Sequence, residues 1–100
     1  MVDLNRALRT AAQSGSIQIG LSSTRAAVAA KQAKAVVVAR NLPADERTSL
    51  VGQAQAAGVG VIEFAGTNVE LGPAIGKPFA VACLAVLEPG ESDILHAVQG

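Results

Sequence analysis

The chain has no tryptophan and no tyrosine, and only two phenylalanines among its 100 residues. Any core it builds is therefore aliphatic and closely packed. A single cysteine, Cys83, excludes a disulfide framework within the chain, and with it the small secreted scaffolds that depend on one. One histidine and one cysteine cannot supply the usual ligand sets of a zinc site, so no metal and no cofactor is expected. Charged residues make up only 16%, and eight basic side chains balance eight acidic ones. A strongly basic nucleic-acid binder looks different, so any RNA contact must be local. No apolar run reaches the roughly 20 residues of a membrane span. The N-terminal MVDLNRALRT is polar and amphipathic, not a signal peptide, and a cytoplasmic setting away from membranes is expected.

Catalytic signatures are also missing. There is no Walker loop and no dinucleotide-binding fingerprint. The acidic residues are scattered, not paired, and His96 stands without a partner motif, as a surface or helix-end residue would. Cys83, inside an apolar run, reads as a small buried hydrophobe. An enzyme has no positive support.

What is present is an alternation of helices and strands. Asp3 can cap a first helix with Leu4, Leu8, Ala11 and Ala12 on one face, stopped at Ser14-Gly15. Residues 16–20 (SIQIG) alternate as a half-buried strand, with Ile17 and Ile19 inward. Ser22, Ser23 or Thr24 can cap a second, Ala-rich helix through residues 25–33, with Arg25 and Lys31 on its polar side. Residues 35–39 (AVVVA) are continuously apolar, the mark of a strand covered on both faces. Pro43, Asp45 and Glu46 suit the start of a third helix, which Gly58 ends; Leu50, Val51, Ala54 and Ala57 form its apolar stripe. Residues 59–64 (VGVIEF) and 80–87 (AVACLAVL) are further strands, and the latter is expected to be adjacent or near-adjacent to residues 35–39 as a central strand. Pro89-Gly90 marks a turn, and residues 92–98 a last helical turn or two. The order specifies one domain over residues 1–100, a three-layer α/β/α sandwich around a four-stranded, largely parallel or mixed sheet.

The chain is organised around residues 66–79, GTNVELGPAIGKPF. Thr67 and Glu70 have capping-box spacing, so a short helix starts here directly after a strand. Its first amides and positive dipole end suit a phosphate; the plainer alternative is a well-capped connector. Pro73 keeps that helix short or kinks it.

With GTNVELG, GKPF and EPGESDIL in this order, the chain resembles the archaeal and eukaryotic large-subunit ribosomal protein thirty family, within the kink-turn RNA-binding superfamily. The resemblance covers nearly the whole chain. It implies the same sandwich and a non-enzymatic structural role in the large ribosomal subunit. The implied partners are kink-turn ribosomal RNA and neighbouring ribosomal proteins, and the isolated chain is expected to be a monomer in the cytoplasm. It also implies an RNA site at Gly20, Ser22, Ser23 and Arg25, at Asn41, and at Lys77, Phe79 and Val81. In that site Phe79 is the loop aromatic, Val81 its apolar neighbour, and Asn41 the asparagine after the second strand. A splayed base needs a flat apolar surface, and an amide can read a base edge. The structural alternatives are that Phe79 covers the end of the sheet and that Asn41 caps the third helix. One departure stands out: the family usually carries Lys or Arg early in the second helix, where this chain has Ser22 and Ser23. Fewer cations mean fewer phosphate contacts, which leaves open the alternative of a family-like scaffold, natural or engineered, that has lost RNA binding and serves protein interaction.

Overall fold

The computed structural model describes residues 4–90 and residue 94. Eight elements follow in the order α1 (Leu4–Ser14), β1 (Ser16–Ile19), α2 (Leu21–Ala29), β2 (Ala35–Val38), α3 (Ala44–Ala56), β3 (Gly60–Glu63), α4 (Asn68–Ala74) and β4 (Cys83–Glu88). The expected Asp3 cap and the expected helix over residues 92–98, His96 included, lie outside the described residues, apart from Ile94, which is buried.

The strands form one mixed sheet in the order β1-β4-β2-β3. β2 pairs parallel with β3, while β4 runs antiparallel between β1 and β2. The two continuously apolar runs therefore sit side by side at the centre, as their composition requires. Alternation divides each strand between two cores. Val37 of β2 and Leu84 and Val86 of β4 pack with Ala7, Leu8 and Ala11 of α1 and Leu71 of α4. Val36 and Val38, with Cys83 and Ala85, pack with Val28 of α2 and Leu50 and Ala54 of α3. Small alanines on the helices let them lie close to a sheet made mostly of Val, Leu and Ala. The result is the expected α/β/α sandwich.

Beyond one-residue shifts at the ends of β1, β2 and β3, three features differ from the sequence reading. α2 stops at Ala29, because Lys31 takes a left-handed φ of 59° and turns the chain back toward the sheet, where the Lys34 amide bonds the Val86 carbonyl at 2.7 Å. β4 starts at Cys83, not at residue 80, because the Val81 amide bonds the Asn68 carbonyl at 2.9 Å instead of a strand neighbour. The cap of α2 is the third difference and belongs to the site.

Candidate nucleic-acid interface

Ile19 of β1 lies opposite Leu84, and Val38 lies opposite both Cys83 and Glu63. β1, β2 and β3 thus leave the sheet, and β4 enters it, at one end. Backbone bonds fuse the connecting loops there into one surface. The Gly20 amide donates to the Cys83 carbonyl at 3.0 Å, Ala39 to Ala82 at 2.8 Å, Arg40 to Gly66 at 2.9 Å, and Val81 to Asn68 at 2.9 Å.

Gly20 is the N-cap of α2, with φ 99° and ψ 160°, and no side chain caps the helix. That corrects the expected Ser or Thr cap. Only glycine holds this backbone region without strain, and it allows the chain to leave β1 and enter a helix with no spacer. Ser22 and Ser23 fall in the first turn, Ser22 exposed and Ser23 half-buried, while Thr24 is fully buried. Thr24 is the first residue to bond back, to the Gly20 carbonyl at 2.9 Å. The amides of Leu21, Ser22 and Ser23 are therefore not used by the helix, and its positive dipole end faces outward with them. Arg25 is half-buried: its carbonyl accepts the Gln53 side chain of α3 at 3.1 Å, and its Nε is buried without a partner.

Asn41 caps neither α3, whose N-cap is Pro43 with no side-chain bond, nor its own turn. It reaches across to α4. The Asn68 backbone amide donates to Asn41 Oδ1 at 2.9 Å, and Asn41 Nδ2 donates to Asn68 Oδ1 at 2.8 Å. This pair joins the β2 exit to the α4 entry while leaving Asn41 exposed, with one N–H still to offer. No local signal marks Asn68, because the pairing spans 27 positions.

At the start of α4 the capping box is formed. Glu70 Oε1 accepts the Thr67 amide at 3.1 Å and the Thr67 hydroxyl at 3.3 Å. The expectation of a phosphate place here needs correcting: the amides of Thr67 and Asn68 already have acceptors, and one of these is a carboxylate that repels an anion. The connector alternative describes this helix.

Phe79 is 53% exposed, so it does not serve to cover the sheet. Its loop is seated by Gly72: a Cβ there would lie 1.7 Å from the Phe79 carbonyl oxygen. Lys77 is half-buried, its amide bonding the Gly72 carbonyl at 2.9 Å. Val81 is only 2% exposed and belongs to the core beneath the loop, so its side chain offers no surface to a ligand. Gly20, Ser22, Ser23, Arg25, Asn41, Lys77 and Phe79 lie on the elements and loops at this end, Arg25 and Lys77 half-buried, and Val81 is buried beneath.

Arg40, missed in the sequence reading, is exposed beside Asn41 and makes no ion pair among the described residues. Its place at the exit of an apolar strand was the available clue. Arg47 is spent differently, paired with Glu63 and donating to the Ala39 carbonyl at 2.8 Å. Cys83 lies fully buried under α2, and burial pushes its thiol above the ordinary range; Thr24 opposes this weakly. Among the described residues no helix is long and apolar enough to cross a membrane.

A sandwich with glycine, amide and aromatic groups gathered at one sheet end defines a class, and the comparisons agree: the chain belongs to the ribosomal protein L7Ae/L30e/S12e/Gadd45 family, whose model matches residues 3–96. Within it, the chain is similar to large ribosomal subunit protein eL30 of Pyrobaculum neutrophilum, at 41% identity over 99% of this chain and 98% of the relative. Against eL30 of Methanosarcina mazei the identity is 43%, over 96% of this chain and 89% of the relative. The resemblance read from GTNVELG and EPGESDIL is thus borne out. The fold also matches a solved structure of a protein with unknown function from Bacillus halodurans, with a TM-score of 0.83, 23% identity, and coverage of 97% of this chain and 96% of that one.

Proposed function

We propose that the chain is a non-enzymatic structural constituent of the large ribosomal subunit. In this reading it acts in the cytoplasm, is a monomer when isolated, and binds kink-turn ribosomal RNA at the end of the sheet built by Gly20, Ser22, Asn41 and Phe79. The eL30 names of its relatives support the ribosomal setting. The observation that carries the site is Phe79. In a chain with two aromatics, Phe64 is buried in the core and Phe79 stands exposed on a backbone loop that Gly72 seats. An exposed rigid ring, an amide with one N–H to spare and three unused N–H groups at the same end of the sheet suit an unstacked base flanked by phosphates. Val81 and Asn68 hold that surface from beneath.

The test is a titration with a kink-turn RNA and with a straight duplex of the same length. The wild type should prefer the kink-turn, and Phe79→Ala should lose roughly 1–3 kcal/mol of binding while melting normally. Equal affinity for both RNAs, or an unchanged Phe79→Ala variant, would remove this site from the reading.

A further inference from the structure

β3 is the last strand of the sheet, so one of its edges has no neighbour. The Phe64 amide bonds the Val38 carbonyl of β2, and backbone direction alternates along a strand. Gly60, Ile62 and Phe64 therefore turn their N–H and C=O groups toward β2, while Val61 and Glu63 turn theirs off the sheet. Among the described residues no loop, turn or side chain bonds these outward groups. The side chains of Val61 and Glu63 line a groove of about 520 Å³, with Val51 and Gly52 of α3 on its other side. Gly52 is exposed, its φ is not positive, and a Cβ there would meet nothing within 4 Å. Neither backbone conformation nor packing within the chain calls for a glycine in mid-helix. The groove carries no net charge: Arg47 and Glu63 pair with each other, and Thr48 and Gln55 are the other polar groups lining it.

We infer that the outer edge of β3 and this groove together take one extended, uncharged segment of a partner protein, which adds antiparallel to β3 as a fifth strand. The outward N–H and C=O groups of Val61 and Glu63 call for a row of the same groups at strand spacing. A polypeptide has that row and a phosphodiester backbone lacks it. In an antiparallel pair, the residues opposite Val61 and Glu63 put their side chains on the same face, into the groove. Gly52 keeps that space open, which gives the glycine a use outside the chain's own packing. The one acid and one base of the groove are paired, so an added charge would lose water and gain no partner; an uncharged side chain fits. β3 is four residues long, and an edge of that length buries far less than the roughly 1,000 Å² a stable dimer needs, so the occupant is a segment and not a second copy. Neither the edge nor the groove includes a residue of the RNA surface.

Amide NMR of the full chain tests it, with the blocked peptide acetyl-Thr-Val-Thr-Val-Thr-amide as probe. The probe should shift the amides of Val61, Glu63 and Gly52, and leave those of Ser22 and Ser23 in place. With the valines in the groove, their N–H groups meet β3, so methylating both valine nitrogens should abolish the shifts. Methylating the middle threonine nitrogen, which faces away from β3, should keep them. Gly52→Ala puts a methyl group on the groove wall. It should weaken the probe at least about fivefold, with the melting temperature unchanged or raised. Four results would overturn the inference: no shift of Val61 or Glu63 at millimolar probe, equal binding by the two methylated peptides, undiminished binding to Gly52→Ala, or the same shifts on raising the protein concentration alone, which would give the edge to a second copy. If the kink-turn RNA fails to bind while the probe binds here as described, the edge site stands and the ribosomal reading falls.

Discussion

At the scale of single residues, Gly72 governs the site more than any group that would touch RNA. Its missing side chain lets the Phe79 backbone cross α4 at a distance no other residue permits, with a Cβ placed 1.7 Å from the Phe79 carbonyl oxygen. Gly72→Ala must push the loop away or distort α4. It should cost about 1–3 kcal/mol of stability by overpacking, and it should weaken RNA binding about as much as Phe79→Ala does. Urea unfolding and RNA titration on the one variant check both effects; a normal unfolding midpoint would mean the loop has room to spare. Cys83 is the opposite case, a residue with reactive chemistry and no access. It is fully buried, and burial raises its pKa, so the neutral thiol is the folded form. Stability from this group is complete at pH values below the unfolded thiol's pKa. It is lost as the pH rises through the folded pKa, since the unfolded thiol ionises first. Labelling by a thiol reagent at neutral pH should therefore be slow and should follow unfolding; fast labelling of the native protein would contradict the packing of α2 on β4.

At the scale of elements, α3 carries a residue whose cost has no return within the chain. Gly52 sits in the middle of α3, its φ is not positive, and a Cβ there would meet nothing within 4 Å. Gly52→Ala should accordingly raise stability by about 0.5–1 kcal/mol through helix propensity and a less disordered unfolded chain. A lower melting temperature would show that α3 needs the glycine for a reason not visible in its packing. Element existence was legible because each element announces itself locally: continuous apolar runs for β2 and β4, capping-box spacing for α4, Gly58 after α3. Boundaries were less legible where the deciding bond was distant. Residues 80–82 are as apolar as the strand that follows, but Val81 bonds Asn68 and not a strand. Nothing local in Lys31-Gln32 discloses a left-handed turn, because both residues favour helices. In the site, Gly20, Asn41 and Phe79 were named from the resemblance. Their joint placement comes from the parallel exit of β1, β2 and β3, and the Asn41–Asn68 pair depends on two loops meeting only in the fold.

At the scale of the whole molecule, zero net charge decides how RNA binding should respond to salt. Long-range attraction is absent, so affinity must come from contacts at the site itself. Each neutralised phosphate releases counterions and steepens the logarithmic salt dependence by roughly 0.7–0.9. The cations available at the sheet end are Arg40, half-buried Lys77 and half-buried Arg25, while Arg47 is consumed by Glu63. The slope for a kink-turn RNA should therefore be shallow, about two to three phosphates in size. Arg40→Ala should reduce it by about one, and Ser22→Lys, which adds a cation in the exposed first turn of α2, should steepen it by about one and tighten binding at low salt. Lys34 provides the control. It precedes β2 at the opposite end of the sheet, where it pairs with Glu88 at 3.9 Å, so Lys34→Ala should leave the slope alone. Titrations at four or more salt concentrations separate the cases. If Ser22→Lys and Arg40→Ala leave the slope unchanged while Lys34→Ala flattens it, the RNA lies at the other end of the sandwich, and the exposure of Phe79 must be explained by a different partner.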